Sequence, residues 1–188
     1  MRILVMQASP NLDGLTARMA KQAMAGAEAA RAETEMLDLR KLKLGACLAC
    51  DDGWGKCRRE GYCIIEDDLE LVRGKIAACD GFVLSTPVYF GDVAEVVKNV
   101  LDRIRRCERA GPLDPRVEGK YVLGIAAAGG GGGGGPTCLV AMERYYAHLG
   151  IPVFDQMIVT RRSADYMLRA ARAAGERFVR HIEEQRQT

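Results

Sequence analysis

Hydrophobic and polar positions alternate between two rhythms along nearly the whole chain. Short apolar runs at residues 2–8, 33–39, 81–85, 120–127 and 153–159 read as strands, the first of them buried. Between and after them lie longer segments with helical character, at residues 15–32, 68–78, 93–106, 137–149 and 163–184. The clearest period is in the third of these. Val93, Val96, Val97, Val100, Leu101 and Ile104 share one helical face, while Lys98, Asp102 and Arg105 fall elsewhere; the charges of Lys98, Asp102 and Arg103 read as solvated on an outer face. Asp68 is placed to cap the second helix, and Gly150 is a natural stop for the fourth.

Five strands with helices between them imply right-handed crossovers and a parallel sheet covered on both faces. No linker separates two domains, so residues 1–188 read as one domain. Two irregular stretches, residues 43–67 and 107–119, read as loop insertions. In such sheets ligands bind outside the carboxyl ends of the strands, at the point where strand order reverses. Three loops of this chain belong at that edge.

The first loop holds Ser9, Pro10, Asn11, Gly14, Leu15 and Thr16, and leads into a helix whose free N–H groups suit an anion. Neither GxxxxGK[ST] nor GxGxxG follows this strand, which favours a mononucleotide phosphate over a dinucleotide pyrophosphate. In the second loop Pro87, Val88, Tyr89, Phe90 and Gly91 set two aromatics between Pro and Gly, a flat face for a ring system. The third runs from Gly129 and Gly130 through five more glycines to Pro136. Glycines there let the backbone approach a planar ligand closely.

Composition narrows the classes. Apolar residues make up 48% and charged residues 28%, an ordinary globular balance. Lys and Arg number 27 against 25 Asp and Glu, which argues against nucleic acid as a partner. No run approaches the ~18 apolar residues of a membrane span, and the apolar start at residues 3–6 is too short for a signal-peptide core. A cytoplasmic location is therefore expected. In that reducing compartment the seven cysteines point to metal or redox chemistry rather than disulfides. Four of them form the pattern Cys47-x2-Cys50-x6-Cys57-x5-Cys63, with Gly53, Trp54 and Gly55 placed to fold the chain back. Four thiolates suit either zinc or a [4Fe–4S] cluster. Cys79, Cys107 and Cys138 read as packing residues, Asp67 and Asp68 as helix-start acids.

These residues bring out a resemblance. Ala8-Ser9-Pro10 with Gly14 and Thr16, then Pro87-Val88-Tyr89-Phe90, then Lys98 with Asp102-Arg103 make the chain similar to the NAD(P)H-dependent FMN reductases, in particular their iron–sulfur flavoprotein branch. The resemblance implies a flavodoxin-like fold with strand order 2-1-3-4-5. It also implies FMN phosphate at the first loop, the isoalloxazine on the second and third, and NAD(P)H as electron donor. For Cys47, Cys50, Cys57 and Cys63 it implies [4Fe–4S], although the family's middle gap is shorter. Asn11 and Leu15 stand where the family commonly has a basic residue and Asn. The expected activity is electron transfer through FMN to a quinone-like or other acceptor, from a small-molecule or protein donor, in a homodimer or homotetramer. Two alternatives stay open: a non-enzymatic electron carrier, and a cluster-free reductase with structural zinc.

Overall fold

The computed structural model describes residues 1–53, 55–110 and 116–187, with the side chains of 109 and 110 left aside. The strands are β1 (Arg2–Gln7), β2 (Glu33–Asp38), β3 (Gly81–Tyr89), β4 (Asp92–Val93), β5 (Tyr121–Ala128) and β6 (Val153–Thr160). The helices are α1 (Leu15–Ala29), α2 (Lys56–Glu60), α3 (Leu69–Ala78), α4 (Glu95–Ala110), α5 (Gly135–Leu149) and α6 (Ala164–Arg186). Five strands pair in parallel in the order β2-β1-β3-β5-β6, the expected flavodoxin-like arrangement.

Side-chain alternation divides the core into two layers. Leu4, Met6, Phe82 and Leu84 face α3, α4 and α5, while Ile3, Val5, Val83 and Leu123 face α1 and α6. The central strands are covered on both faces and so read as unbroken apolar runs. Small residues let α1 and α6 cross at backbone contact. A Cβ on Gly26 would lie 1.9 Å from the Arg172 carbonyl oxygen, and one on Gly175 would lie 2.0 Å from that of Ala23.

Four expectations are corrected. The sheet has a sixth strand, because β3 continues past Ser85 through Pro87 to Tyr89 and doubles back. Phe90 and Gly91, at φ 53° and 81°, make the two-residue turn to antiparallel β4, and positive φ at both positions matches the twist of a hairpin. The 43–67 stretch is not wholly irregular, since it holds a 3-10 turn at Asp51–Gly53 and helix α2. Cys107 lies within α4 rather than in a loop. Finally, Asp68 does not cap α3. Its carboxylate accepts the Lys43 N–H at 2.6 Å, while Asp67 takes the Leu69 N–H at 3.1 Å.

Candidate functional site

The first loop is shaped by its own hydrogen bonds. The Ser9 hydroxyl accepts the Asn11 N–H at 3.1 Å and donates to the Asn11 carbonyl at 2.8 Å. The Asn11 side-chain oxygen accepts the Asp13 N–H at 3.0 Å, and buried Gln7 takes the Ser9 N–H at 2.7 Å. Gly14 stands at the N-cap of α1 and offers no side chain, and no acid lies in the first turn. The opening N–H groups of α1 thus meet no side-chain cap, which suits an anion from outside. Thr16 lies in that turn, buried, its carbonyl taking the Ser85 hydroxyl at 3.0 Å. Leu15 follows the cap without adding a polar group, and Asn11 acts on the loop itself rather than standing free.

The second and third loops meet backbone to backbone. A Cβ on Gly134 would sit 2.7 Å from the Gly91 Cα, and one on Gly91 would sit 2.7 Å from the Thr137 hydroxyl. Glycines 129, 130, 131 and 133 have nothing within 4 Å of a would-be Cβ, so their backbone faces open space. Beside them Phe90 is fully exposed and Tyr89 half-exposed, while Pro87 and Val88 lie within the sheet end. A bulky residue held at positive φ costs roughly 1–2 kcal/mol, and such strain gathers at functional sites.

Cys47, Cys50, Cys57 and Cys63, from loop and α2, line one small recess with apolar walls that include Leu48 and Ile65. Backbone strain collects here too, for Ala49, Asp51 and Asp52 all have positive φ. Gly55 permits the close approach of Cys50, whose sulfur would lie 2.7 Å from a Cβ there. Burial pushes the Cys57 thiol up. Cys50 and Cys63 add to that, while the Arg58 N–H and the Arg106 guanidinium oppose it. Among the described residues no three His, Cys, Asp or Glu side chains stand in ligand geometry. The four thiols fit a thiolate-bound metal by the chemistry of the donor set and line one recess, but in this structure they do not converge on a common point. Of the residues expected to fold the chain back, Gly53 has φ 100° and Gly55 stands at the N-cap of α2, while Trp54 lies outside the described residues.

Sequence reasoning missed what holds this recess. Asn99 donates to the Leu44 carbonyl at 3.2 Å, Arg103 to that of Gly45 at 3.0 Å, and Arg106 to that of Gly53. Arg103 is 1% exposed and grips Asp67 through two bonds of 2.6 and 2.9 Å. Burial alone would raise the Asp67 carboxyl, but Arg103 with the Gly45 and Leu69 N–H groups holds it below the usual range. Asp67 is thus a buried ion-pair partner, and Arg103 is not a solvated outer charge. Nor is Asp102, which accepts from Lys98 at 2.6 Å and from the Tyr145 hydroxyl at 2.7 Å. The signal was available in the polar stripe Asn99–Arg103–Arg106 at helical spacing. Cys107 also borders the recess, its thiol pushed up by burial to about 12. Cys79 and Cys138 are buried elsewhere in the core, the Cys79 thiol donating to the Ile76 carbonyl at 3.1 Å.

A cavity of about 510 Å³ lies at the opposite, amino-terminal edge, where Arg2 pairs with Glu33 and Lys75 with Glu35. No helix among the described residues is long and apolar enough to cross a membrane.

Comparison with known proteins follows the same lines. The profile of the family described as NADPH-dependent FMN reductase matches residues 1–165. An iron-sulfur flavoprotein of Methanocaldococcus jannaschii is 31% identical over 124 residues, covering 66% of this chain and 62% of that protein. An iron-sulfur flavoprotein of Methanosarcina thermophila is 32% identical over 71 residues, 38% of this chain and 35% of its own length. The chain therefore aligns with less than two thirds of either relative. Among solved structures, a flavone reductase superposes with a TM-score of 0.78 at 18% identity, over 99% of this chain and 64% of that one. An NAD(P)H:quinone oxidoreductase from Methanothermobacter marburgensis gives 0.76 at 16% identity, over 95% and 96%. At such identities the likeness is one of fold.

Proposed function

For a chain that belongs to the NADPH-dependent FMN reductase family, we propose an oxidoreductase that passes electrons from NAD(P)H or a redox partner through FMN to a quinone-like or other acceptor. The observation that carries this reading is the meeting of Gly91 and Gly134, which fixes an aromatic turn against an open glycine backbone at the carboxyl edge of the sheet. In this reading the chain is one FMN-binding domain. The α1 N-terminus with Ser9, Asn11, Gly14, Leu15 and Thr16 holds the phosphate. Pro87 to Gly91, with Gly129 and Gly130, flank the ring system and exclude water from one face.

FMN, when bound, supplies hydride and single-electron chemistry, and the protein supplies binding, orientation and electrostatics. Backbone N–H groups of the β3–β4 turn are the donors available to the ring edge. Cys47, Cys50, Cys57 and Cys63 would hold one metal centre, [4Fe–4S] in preference to zinc, in keeping with the names of the two relatives. A second copy of the chain belongs to the proposal as well. Leu12 and Phe90, from two of the three loops, are exposed apolar side chains that it would cover.

The test uses anaerobically purified protein. One FMN per chain is expected, in preference to FAD, with steady-state NAD(P)H oxidation dependent on it. Iron and acid-labile sulfide should be present, with a low-temperature EPR signal after dithionite reduction. Serine at any one of the four cysteines should abolish that signal, and serine at Cys79 or Cys138 should leave it. Stoichiometric zinc without iron would favour the structural-metal reading. Flavin binding without NAD(P)H oxidation would favour an electron carrier.

A further inference from the structure

Helix α4 does more than cover the cysteine recess, because Arg103 faces it with bonding capacity left over. Its two terminal nitrogens are committed through three hydrogen bonds to Asp67 and Gly45, which flank the four cysteines in sequence. Its Nε is buried without a partner among the described residues. The same guanidinium forms part of the recess wall together with Cys63, whereas Asp67 does not. The Asp67 carboxylate also accepts the Gly45 and Leu69 N–H groups. The recess therefore meets the cation of this ion pair and not the anion.

We propose that Arg103 is the positioning residue of the metal recess, clamping the cysteine loop through Asp67 and Gly45 and offering positive charge and its Nε–H to the thiolate shell. This rests on the reading of the four cysteines as one metal centre. When four thiols take up one divalent ion they release four protons. Four thiolates and the ion then sum to a net charge of −2 where the thiols were neutral. A buried guanidinium beside the shell favours that change, and in so dry a place the hydrogen bond it donates to a thiolate is of the charge-assisted kind. Groups that orient ligands in this way commonly govern metal affinity by 10- to 100-fold.

The role separates from simple scaffolding by sign. Arg103→Gln removes the cation from the recess, whereas Asp67→Asn leaves the cation unmasked. The experiment is an anaerobic Co²⁺ titration of the full chain against a competing chelator, read by thiolate-to-metal charge-transfer absorption. Arg103→Gln should weaken Co²⁺ binding on the order of 10- to 100-fold, Arg103→Lys, which keeps the charge but not the fork, should fall between that and wild type, and Asp67→Asn should bind more tightly. Should Arg103→Gln not fold, Arg103→Lys and Asp67→Asn carry the test, since a purely structural clamp would lose affinity in both. Equal affinity in all variants, or weakening in both Arg103→Lys and Asp67→Asn, would overturn the role of Arg103 alone. Wild-type protein with no thiolate charge-transfer band would overturn the metal centre and this role together.

Discussion

Alanine at Gly134 should damage the protein in a way that alanine at Gly131 does not. Gly134 has φ 79°, and its Cβ would fall 2.7 Å from the Gly91 Cα and 2.9 Å from the Gly91 nitrogen. Carbon atoms pack at about 3.5–4.0 Å, so one turn must retreat by about 1 Å. Neither side can yield by a rotamer change, because both contacts are backbone and Gly91 is itself at φ 81°. An alanine held in the left-handed region costs roughly 1–2 kcal/mol, and overpacking adds about 1–3 kcal/mol. Together these give on the order of 2–5 kcal/mol, divided between global stability and the geometry of the two loops. Gly131 has nothing within 4 Å of a Cβ and no positive φ, so its replacement should change stability by no more than about 0.5 kcal/mol. Urea denaturation of the apoprotein and a fluorescence titration with FMN measure the two shares. If Gly134→Ala keeps both stability and FMN affinity within about 0.5 kcal/mol of wild type, the backbone contact does not govern the site.

Other outcomes are equally open to measurement. Ser9→Ala with Thr16→Ala should weaken FMN by on the order of 2 kcal/mol, about 1 kcal/mol from losing the bonds by which Ser9 shapes the loop around Asn11 and about 1 kcal/mol from the Thr16 hydroxyl, and leave riboflavin nearly unchanged. Equal losses for both flavins would place the phosphate elsewhere. Gly175→Ala, which in an exposed helix would help by about 1 kcal/mol, should instead destabilise by about 3 kcal/mol or more, because its Cβ would lie 2.0 Å from the Ala23 carbonyl oxygen. A higher melting temperature would show that α1 and α6 part easily. Arg103 holds the Asp67 carboxyl below its unfolded value against the effect of burial. The unfolded chain therefore binds the extra proton first on acidification. The stability this contributes is complete above about pH 4 and is lost as pH falls through the lowered folded value. Asp67→Asn should flatten that acid limb in denaturation curves taken across pH, and an unchanged slope would refute the pairing.

The sequence by itself determined the layered fold and the edge where function gathers. Unbroken apolar runs at β1, β3 and β5 can be buried only between two helical layers, and the repeated strand–helix alternation allows only parallel pairing. Local chemistry likewise made the glycine run, the Tyr89–Phe90 pair and the four-cysteine stretch legible, since each is unusual wherever it lies. Tertiary structure decided what those residues touch. Strand β3 runs on past Ser85 because β5 and then β4 supply partners for its backbone, and no local preference encodes that pairing. Gly91 and Gly134, 43 positions apart in sequence, meet only because their strands are neighbours. Arg103 was read from sequence as an outer charge, because a charge on a helix face is usually solvated, and Asp67 as a helix-start acid. The cysteine loop covers them, and burial turns an unremarkable pair into the clamp of the recess, an effect of long-range packing with no signature in local spacing.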